Sequence, residues 1–442
     1  MPSTPHRLLL ALALGAASIP LAQARGDMEP TGEWLTSAPL NEPTRQQPST
    51  LAEPVSATDF YFADHATTPN GRQVAGVLDH AVNTFLNSGV LEKSEEHRLE
   101  TIGRDLSTLT PGRLGAVLEQ LAGSQHANLG TATQNSMQPI NDTLLAATRQ
   151  LSDHPALGDD TGGGRAWFQV LGNAGELEGQ RGSMSLQHRT QGLMLGSDWA
   201  IDPAWRVGVM AAKSTSDLSA ARFKGGLDSW HLGAYAVRQD GPLGLRLGAS
   251  HSNHVGQNKR SVALDGTDYR EQPTGQYNAN SQNAFAELGY RLDSGYFSVE
   301  PFASVGYQRY HRDRYTEKGG HAALNVGAQT QRNLSSSLGL RLASVFELGS
   351  SMALKPQLSA SWKHLYGEVN GSVRQSSAWV QRPGFNSDFR IQGTALDRDR
   401  LAVQSGLELA LSAQHSLGLT YTAEVGSYSR NQGLTGQWTL AF

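Results

Sequence analysis

From Arg165 to Phe442 the chain repeats one unit: a run of about ten residues in which apolar and polar side chains alternate, then a break. A period of two marks a strand with two unlike faces. Twelve such runs occur, at about 165–173, 190–201, 204–215, 228–239, 242–253, 282–292, 296–309, 333–348, 352–366, 398–411, 415–427 and 431–442. Each reaches the ~9–11 residues that a tilted strand needs to cross a bilayer. The connections alternate too. Asp202-Pro203, Asp240-Gly241, Asp293-Ser294-Gly295, Gly349-Ser350-Ser351 and Ser412-Ala413-Gln414 are tight turns built from turn-forming residues. The intervening connections, about 174–189, 215–227, 254–281, 310–332 and 367–397, read as long loops, and only the last, near 428–430, is short. A soluble sandwich has no reason to sort loop lengths onto one end. An outer-membrane barrel, with short periplasmic turns and long outer loops, does.

Charge placement supports the same fold. One face of the tenth run carries Leu401, Val403, Ser405, Leu407, Leu409 and Leu411, and one face of the eleventh carries Leu417, Leu419, Tyr421, Ala423 and Val425. In the ninth run the apolar face is Leu354, Pro356, Leu358, Ala360 and Trp362. The opposite faces collect Asp198, Arg206, Arg246, Glu287, Arg291, Glu300, Arg341, Glu347, Lys355, Lys363, Glu408 and Glu424, assigned to the lumen. A charge at the lipid midplane costs ~2–4 kcal/mol, so a barrel must sort its charges this way. The lumen charges suit either a selectivity lining or a network that holds a plug. Trp199, Trp205, Tyr290, Tyr307 and Tyr366 fall near strand ends, where an interfacial girdle uses them. The last run ends Leu434, Gly436, Trp438, Leu440, Phe442 on one face. A terminal strand frays unless something holds it, and an aromatic end suits lipid contact.

The fold class expected is therefore a 12-stranded antiparallel transmembrane barrel over 161–442. The segment 112–160 should supply an α-helix threaded through its pore. Gly123 to Gln138 is almost wholly small or polar, with Leu129 and Met137 as exceptions, so it suits a water-filled pore and not lipid. A helical segment follows Pro139 to about Ser152. Before it, Val74, Val77, Leu78, Ala81, Val82, Phe85 and Leu86 form a helical stripe, with further stripes at Leu99 to Leu109 and Leu114 to Leu121. Residues 69–111 read as a short helical passenger, and 25–68, with Pro30, Pro39, Pro43, Pro48 and Pro54, as a disordered arm.

Residues 1–24 read as a secretory signal. His6 and Arg7 precede an apolar run from Leu8 to Ala17, and Ala22-Gln23-Ala24 places cleavage between Ala24 and Arg25. Arg25-Gly26-Asp27 then spells a tripeptide that some adhesins use to bind integrins, a candidate adhesion motif beside the plainer reading of a charged terminus.

Several function classes are excluded. A net charge of −4 argues against a nucleic-acid partner, and the absence of cysteine removes disulfides and thiol chemistry. No nucleophile elbow, metalloprotease helix, phosphate loop or dinucleotide fingerprint occurs, so no catalytic residue, cofactor site or metal site is assigned. His251, His254, His311 and His321 near the outer loop bases leave a barrel enzyme open as an alternative, with a diffusion porin behind it.

Particular stretches carry a family pattern: Gln120-Leu121-Ala122-Gly123-Ser124-Gln125-His126-Ala127, Ser229 to Tyr235, Ala284 to Tyr290, Glu300-Pro301-Phe302-Ala303 and Leu338-Gly339-Leu340-Arg341. Over roughly Leu114 to Phe442 the chain resembles the β-domain of monomeric, type V secretion autotransporters of Gram-negative bacteria. The resemblance implies a monomer in the lipid bilayer of the outer membrane that delivers its own N-terminal passenger to the cell surface. It implies export by the Sec translocon. It also implies recognition of the final strand, here Leu434, Trp438, Leu440 and Phe442, by the outer-membrane barrel assembly machinery. Family passengers run to several hundred residues; here only Arg25 to about Pro111 precedes the linker. The alternative is a surface adhesin in which this short passenger or the long loops bind a host-surface receptor.

Overall fold

The computed structural model describes residues 60–88, 93–153, 163–180, 182–263, 270–295, 297–349, 352–367, 369–378 and 387–442. The signal sequence, its Ala24–Arg25 junction and Arg25-Gly26-Asp27 lie outside them.

The alternating runs form twelve strands: β1 (Gly164–Leu177), β2 (Leu186–Ala200), β3 (Trp205–Ala220), β4 (Phe223–Asp240), β5 (Leu243–Arg260), β6 (Thr274–Tyr290), β7 (Phe297–Arg312), β8 (Gln329–Ser344), β9 (Ala353–Gly367), β10 (Asp399–Ala410), β11 (His415–Val425) and β12 (Ser429–Ala441). Each pairs antiparallel with its neighbours in sequence. β12 returns to β1 in unbroken register, from Arg165 opposite Ala441 to Leu177 opposite Ser429. The sheet is closed and leaves no free edge.

Outward side chains are apolar over a definite height. On β7 they run Phe297, Val299, Pro301, Ala303, Val305, Tyr307, ten residue steps along the strand. At ~3.3 Å per residue and a tilt of ~40° this spans ~25 Å, the height of a barrel's lipid-facing band. Leu232 and Leu195 on that surface are 64% and 60% exposed, which only a lipid solvent tolerates over a whole barrel circumference. Tyr307 and Tyr366 lie at the long-loop end of the band, and Trp199, Trp205 and Tyr290 at the other.

The strands run further toward the long-loop end than the amphipathic pattern indicates. The connection read as a loop at 215–227 is a tight hairpin: β3 continues to Ala220, β4 starts at Phe223, and Arg222 takes the turn with φ 61°. Likewise β5 and β6 extend to Arg260 and from Thr274. Above the lipid band both faces of a strand can be polar, so alternation stops where the hydrogen-bond ladder does not.

Among the described residues five α-helices precede the barrel: α1 (Pro69–Ser88), α2 (Lys93–Ser107), α3 (Pro111–Ala122), α4 (Gln125–Ser136) and α5 (Gln138–Asp153). Pro69 and Pro111 take first-turn positions, where their missing N–H costs nothing, and Gly123 ends α3 in the left-handed region at φ 55°. No helix among the described residues is long and apolar enough to cross a membrane.

The arm expected to stay disordered to residue 68 is ordered from Phe60. Phe62 is buried, the Phe62 and Ala63 N–H groups donate to the Asp79 carboxylate (2.6 and 3.1 Å), and Asn83 bonds both backbone groups of Phe60. An aromatic pair stacked at 5.5 Å, Phe60 and Phe62, supplies the apolar area that a Pro-rich composition conceals.

A four-stranded sheet made from loop segments (Tyr315–Thr316, Leu324–Val326, Asn370–Ser377 and Phe389–Ala395) covers the long-loop mouth. The helix α1 rests on its Phe389–Ala395 strand, and α3 packs against α1 and the Val262–Ala263 segment. Their Val74, Val82, Leu114 and Leu118 join Leu177, Leu186, Tyr310, Leu324 and Ile391 in one buried cluster. Asn70 exchanges two hydrogen bonds with the Gln392 backbone, at 2.7 and 2.9 Å. The helices and the barrel mouth therefore share a core.

Candidate functional site: the occupied lumen

All twelve residues of α4 are buried. A helix enclosed on every side must be narrow, and this one is: Ala127, Gly130, Thr131, Ala132 and Thr133 present little beyond a methyl or hydroxyl. At Gly130 an added Cβ would stand 2.7 Å from the Gln331 Oε1 and 3.1 Å from the Tyr310 ring, so a larger residue there requires Gln331 to move. The wall supplies the hydrogen bonds that water would otherwise make. Gln329 Nε2 donates to the Ala127 carbonyl (3.0 Å) and Arg312 donates to the His126 carbonyl (3.0 Å). Asn128 donates to the Ser183 Oγ (2.6 Å) and accepts from the Thr394 N–H (2.7 Å).

At the mouth, the loop residue Glu317 receives both guanidinium arms of Arg260, the nearer at 2.6 Å, and lies 2.9 Å from the His126 Nε2. Burial alone would push the Glu317 carboxyl up; Arg260 and His126 override it and hold it well below the usual carboxylate range. Arg260 also donates to the backbone carbonyls of Gln120 and Ala322. One carboxylate thus ties the strand, the cap and the pore helix together.

Deeper in the lumen α5 packs by two kinds of contact. Ile140, Leu144 and Ala147 meet Trp167, Leu171, Met194, Met210 and Tyr235. On its other side Arg149 makes a two-pronged bond to Glu287, at 2.6 and 3.2 Å, and a third to Gln404. Glu287 is shared with Arg246 (3.2 Å) and Arg341 (3.1 Å), which both also bind Glu300, at 2.6 and 2.8 Å. The Phe302 ring lies beneath Arg149 and Arg341, 5.3 and 4.9 Å from its centroid. On the opposite wall Arg165 bonds Asp198 (2.9 Å) and the Ala147 carbonyl (3.0 Å), while Tyr235 donates to Asp198 and accepts from the Trp167 indole N–H, both at 2.8 Å. Gln138 donates to Glu424, which Arg400 also binds (2.7 Å). This is chemistry for holding a polypeptide across a pore: fixed charges face fixed charges.

The residues assigned to the lumen from sequence divide accordingly. Asp198, Arg246, Glu287, Glu300, Arg341, Glu408 and Glu424 are buried within the barrel. Arg206 reaches to 4.0 Å from Asp198, Lys363 to 3.9 Å from Glu424, and Lys355 lies opposite Glu408. Arg291 and Glu347 are placed differently. Arg291 follows the end of β6 and pairs with the exposed Asp293, and Glu347 is exposed in the β8–β9 hairpin. Arg291 lies beyond its strand, and Glu347 lies in a two-residue ladder opposite Ala353 at the turn end, where alternation no longer specifies a face. Leu434, Trp438, Leu440 and Phe442 lie on the lipid-facing side of β12, and Phe442 exchanges 2.8 and 2.9 Å backbone bonds with Gly164.

The four rim histidines do not converge. His254 is buried between Ser229 and Ser281, His251 faces outward beside Asn253, His311 pairs with Asp313, and His321 meets Glu271 in the cap. Sequence reading missed Arg149, Arg165, Arg260, Arg312 and Arg400. An arginine on a helix carries no signal that its neighbour will be a barrel wall, and the strand extensions bearing Arg260 and Arg312 were read as loop.

A closed barrel with a lipid-facing band and a peptide-filled lumen defines an outer-membrane β-barrel protein. The family model of the autotransporter β-domain matches residues 166–422, and the chain belongs to that family. It is 29% identical over 329 residues to an extracellular serine protease of Serratia marcescens, a match covering 73% of this chain and 30% of that protein. It is 28% identical to the esterase EstA of Pseudomonas aeruginosa, over 62% of this chain and 43% of that one. The chain thus spans well under half the length of these relatives. The translocator domain of autotransporter NalP from Neisseria meningitidis has the same fold, with a TM-score of 0.54 at 17% identity, over 70% of this chain and 98% of that one. The protein is an outer-membrane autotransporter translocator, with its passenger side at the cell surface. The long-loop end is the outer end.

Proposed function

We propose that this translocator delivers residues 25 to about 111 to the surface and keeps their helical part there, docked on its own mouth. The carrying observation is the shared core: α1 and α3 bury Val74, Val82, Leu114 and Leu118 against loop and strand residues of the outer end. In this reading α3, at the start of the 112–160 linker, sits at the mouth, α4 and α5 are the part left in the pore after transport, and the Arg149 and Glu317 clusters hold them there. Residues 1–24 bring the chain to the Sec translocon. The outward row of β12, ending at Phe442, is what the barrel assembly machinery reads. Arg25-Gly26-Asp27, just after the expected cleavage position, is the contact for a host-surface receptor. The barrel takes no catalytic part, and the charges of its lumen hold a peptide and do not select ions. The names of the serine protease and esterase relatives bear on this chain only through the region they share with it.

Protease treatment of intact cells tests the reading. An antibody against residues 30–60 should lose its epitope while a periplasmic marker stays intact, and an epitope within α1 should be protected by docking until the cap is loosened. An epitope at 30–60 that survives on sealed cells would sink it.

A further inference from the structure

The lumen has two unlike walls. Toward β1–β4 the pore helix α5 packs tightly: Trp167, Leu171, Met194 and Met210 meet its apolar stripe and are at most 3% exposed. Toward β8–β11 the inward side chains include a field of short hydroxyls. Ser335 and Ser337 on β8, Ser359 and Ser361 on β9, and Thr420 and Thr422 on β11 all point inward, yet none is fully buried. The reason is space: cavities of about 160 and 50 Å³ lie between this field and the Asp142 face of α5. Polar spaces of this size hold water. Of the six hydroxyls, only Ser335 makes a side-chain hydrogen bond among the described residues, to the Gly306 carbonyl of β7 at 3.4 Å. The charges interleaved with the field are drawn aside, Arg341 to Glu287 and Glu300, and Lys363 to 3.9 Å from Glu424. Near its ends α5 reaches across with long side chains, Gln138 to Glu424, Arg149 to Gln404 and Gln150 to Gln437.

We infer that the β8–β11 wall is the track along which the exported chain slides, and that the β1–β4 wall is the dock on which α5 comes to rest; this rests on the export of residues 25 to about 111 proposed above. The moving segment is chemically mixed: it brings Trp34 and Phe85 as well as the charged stretch Lys93 to Arg98. A track for it must hold nothing strongly. An apolar wall retains apolar side chains by ~25 cal/mol per Å² of area buried, so Trp167, Met194 and Met210 would delay each one. A hydroxyl both donates and accepts, and it trades hydrogen bonds with passing peptide groups at little net gain or cost, as water does. Its shortness keeps the passage open. The contrast also gives export a stop, because Ile140, Leu144 and Ala147 of α5 form the stripe that fits the apolar dock.

Bulk placed on each wall separates the two roles. In pulse-labelled cells, Ser359→Phe should lengthen the half-time for surface appearance of a 30–60 epitope about tenfold, and Ser337→Phe likewise. The heat-modifiable folded band should form as fast as in the wild type, which a merely structural role would not allow. Ser359→Thr, which keeps the hydroxyl, should export normally. Ala212→Phe, a comparable enlargement of an inward residue on β3, should lengthen the half-time by no more than about twofold. Equal slowing from the two walls would mean that the pore is merely narrowed, and a wild-type half-time in both serine-to-phenylalanine variants would mean that the chain does not pass there; either overturns the track. Wild-type cells that never expose the epitope would overturn the export itself, and the track with it. If Ser359→Phe yields no folded barrel, Ser337→Phe carries the comparison.

Discussion

At the scale of single residues, the lumen is decided by Glu287. Three guanidiniums, from Arg149, Arg246 and Arg341, converge on it. Removing one partner of a buried ion pair costs ~3–5 kcal/mol, because the survivor stays buried without its counter-charge. Glu287→Gln leaves Arg149 with no carboxylate and Arg246 and Arg341 with Glu300 alone, whereas Arg149→Gln leaves Glu287 with two partners. The first should therefore loosen α5 more than the second. Single-channel recordings in planar bilayers would show it as a larger rise in open conductance for Glu287→Gln. Equal conductance in both variants and the wild type would mean that the apolar side of α5 holds it unaided. Four of this cluster's members were legible beforehand, since Arg246, Glu287, Glu300 and Arg341 fall on the polar face of alternating strands. Arg149 was not, because helical periodicity tells a stripe from its opposite face but not what that face meets.

Among the elements, β12 and α4 show what sequence encodes well. The lipid band enforces alternation, so strands are recognisable wherever they cross lipid and are lost above it, as at 215–227. Enclosure in a pore enforces small and polar residues, so α4 could be placed from composition alone. The arm before α1 shows the opposite: its prolines conceal Phe60 and Phe62, whose ordering depends on Asp79 and Asn83 in the helix that follows. For β12 the expected consequence is specific. Deleting Phe442 removes its paired bonds with Gly164 and its contact with lipid, while the ladder from Ala441 to Ser429 survives. The amount of heat-modifiable barrel in the outer membrane should fall several-fold, with the conductance of the assembled fraction unchanged. Wild-type yield from that deletion would show that the terminal aromatic plays no part in assembly.

For the molecule as a whole, the cap and barrel are joined through Glu317, and this joint has a pH sign. A carboxyl held below its usual range when folded stabilises fully above its unfolded value, ~4.3. That stability is lost only as the pH falls through the depressed folded value. Protease resistance of the cap should therefore be the same at pH 7 and pH 5 and fail only in stronger acid, while Glu317→Gln should be sensitive already at neutral pH. Loosening of the wild type between pH 7 and pH 5 would assign the joint to another group. The threading has a mechanical consequence of its own. The lumen holds α4 and α5 one after the other, one helix wide, and a bundle of helices with a core is wider than one helix by at least ~8–10 Å. The arrangement is that of an axle through a ring with a knot tied at one end. Once the outer knot has folded, the axle cannot be drawn back toward the periplasm unless the knot unfolds first. Retention at the surface then depends on the folding stability of α1 to α3 as well as on the bonds inside the pore.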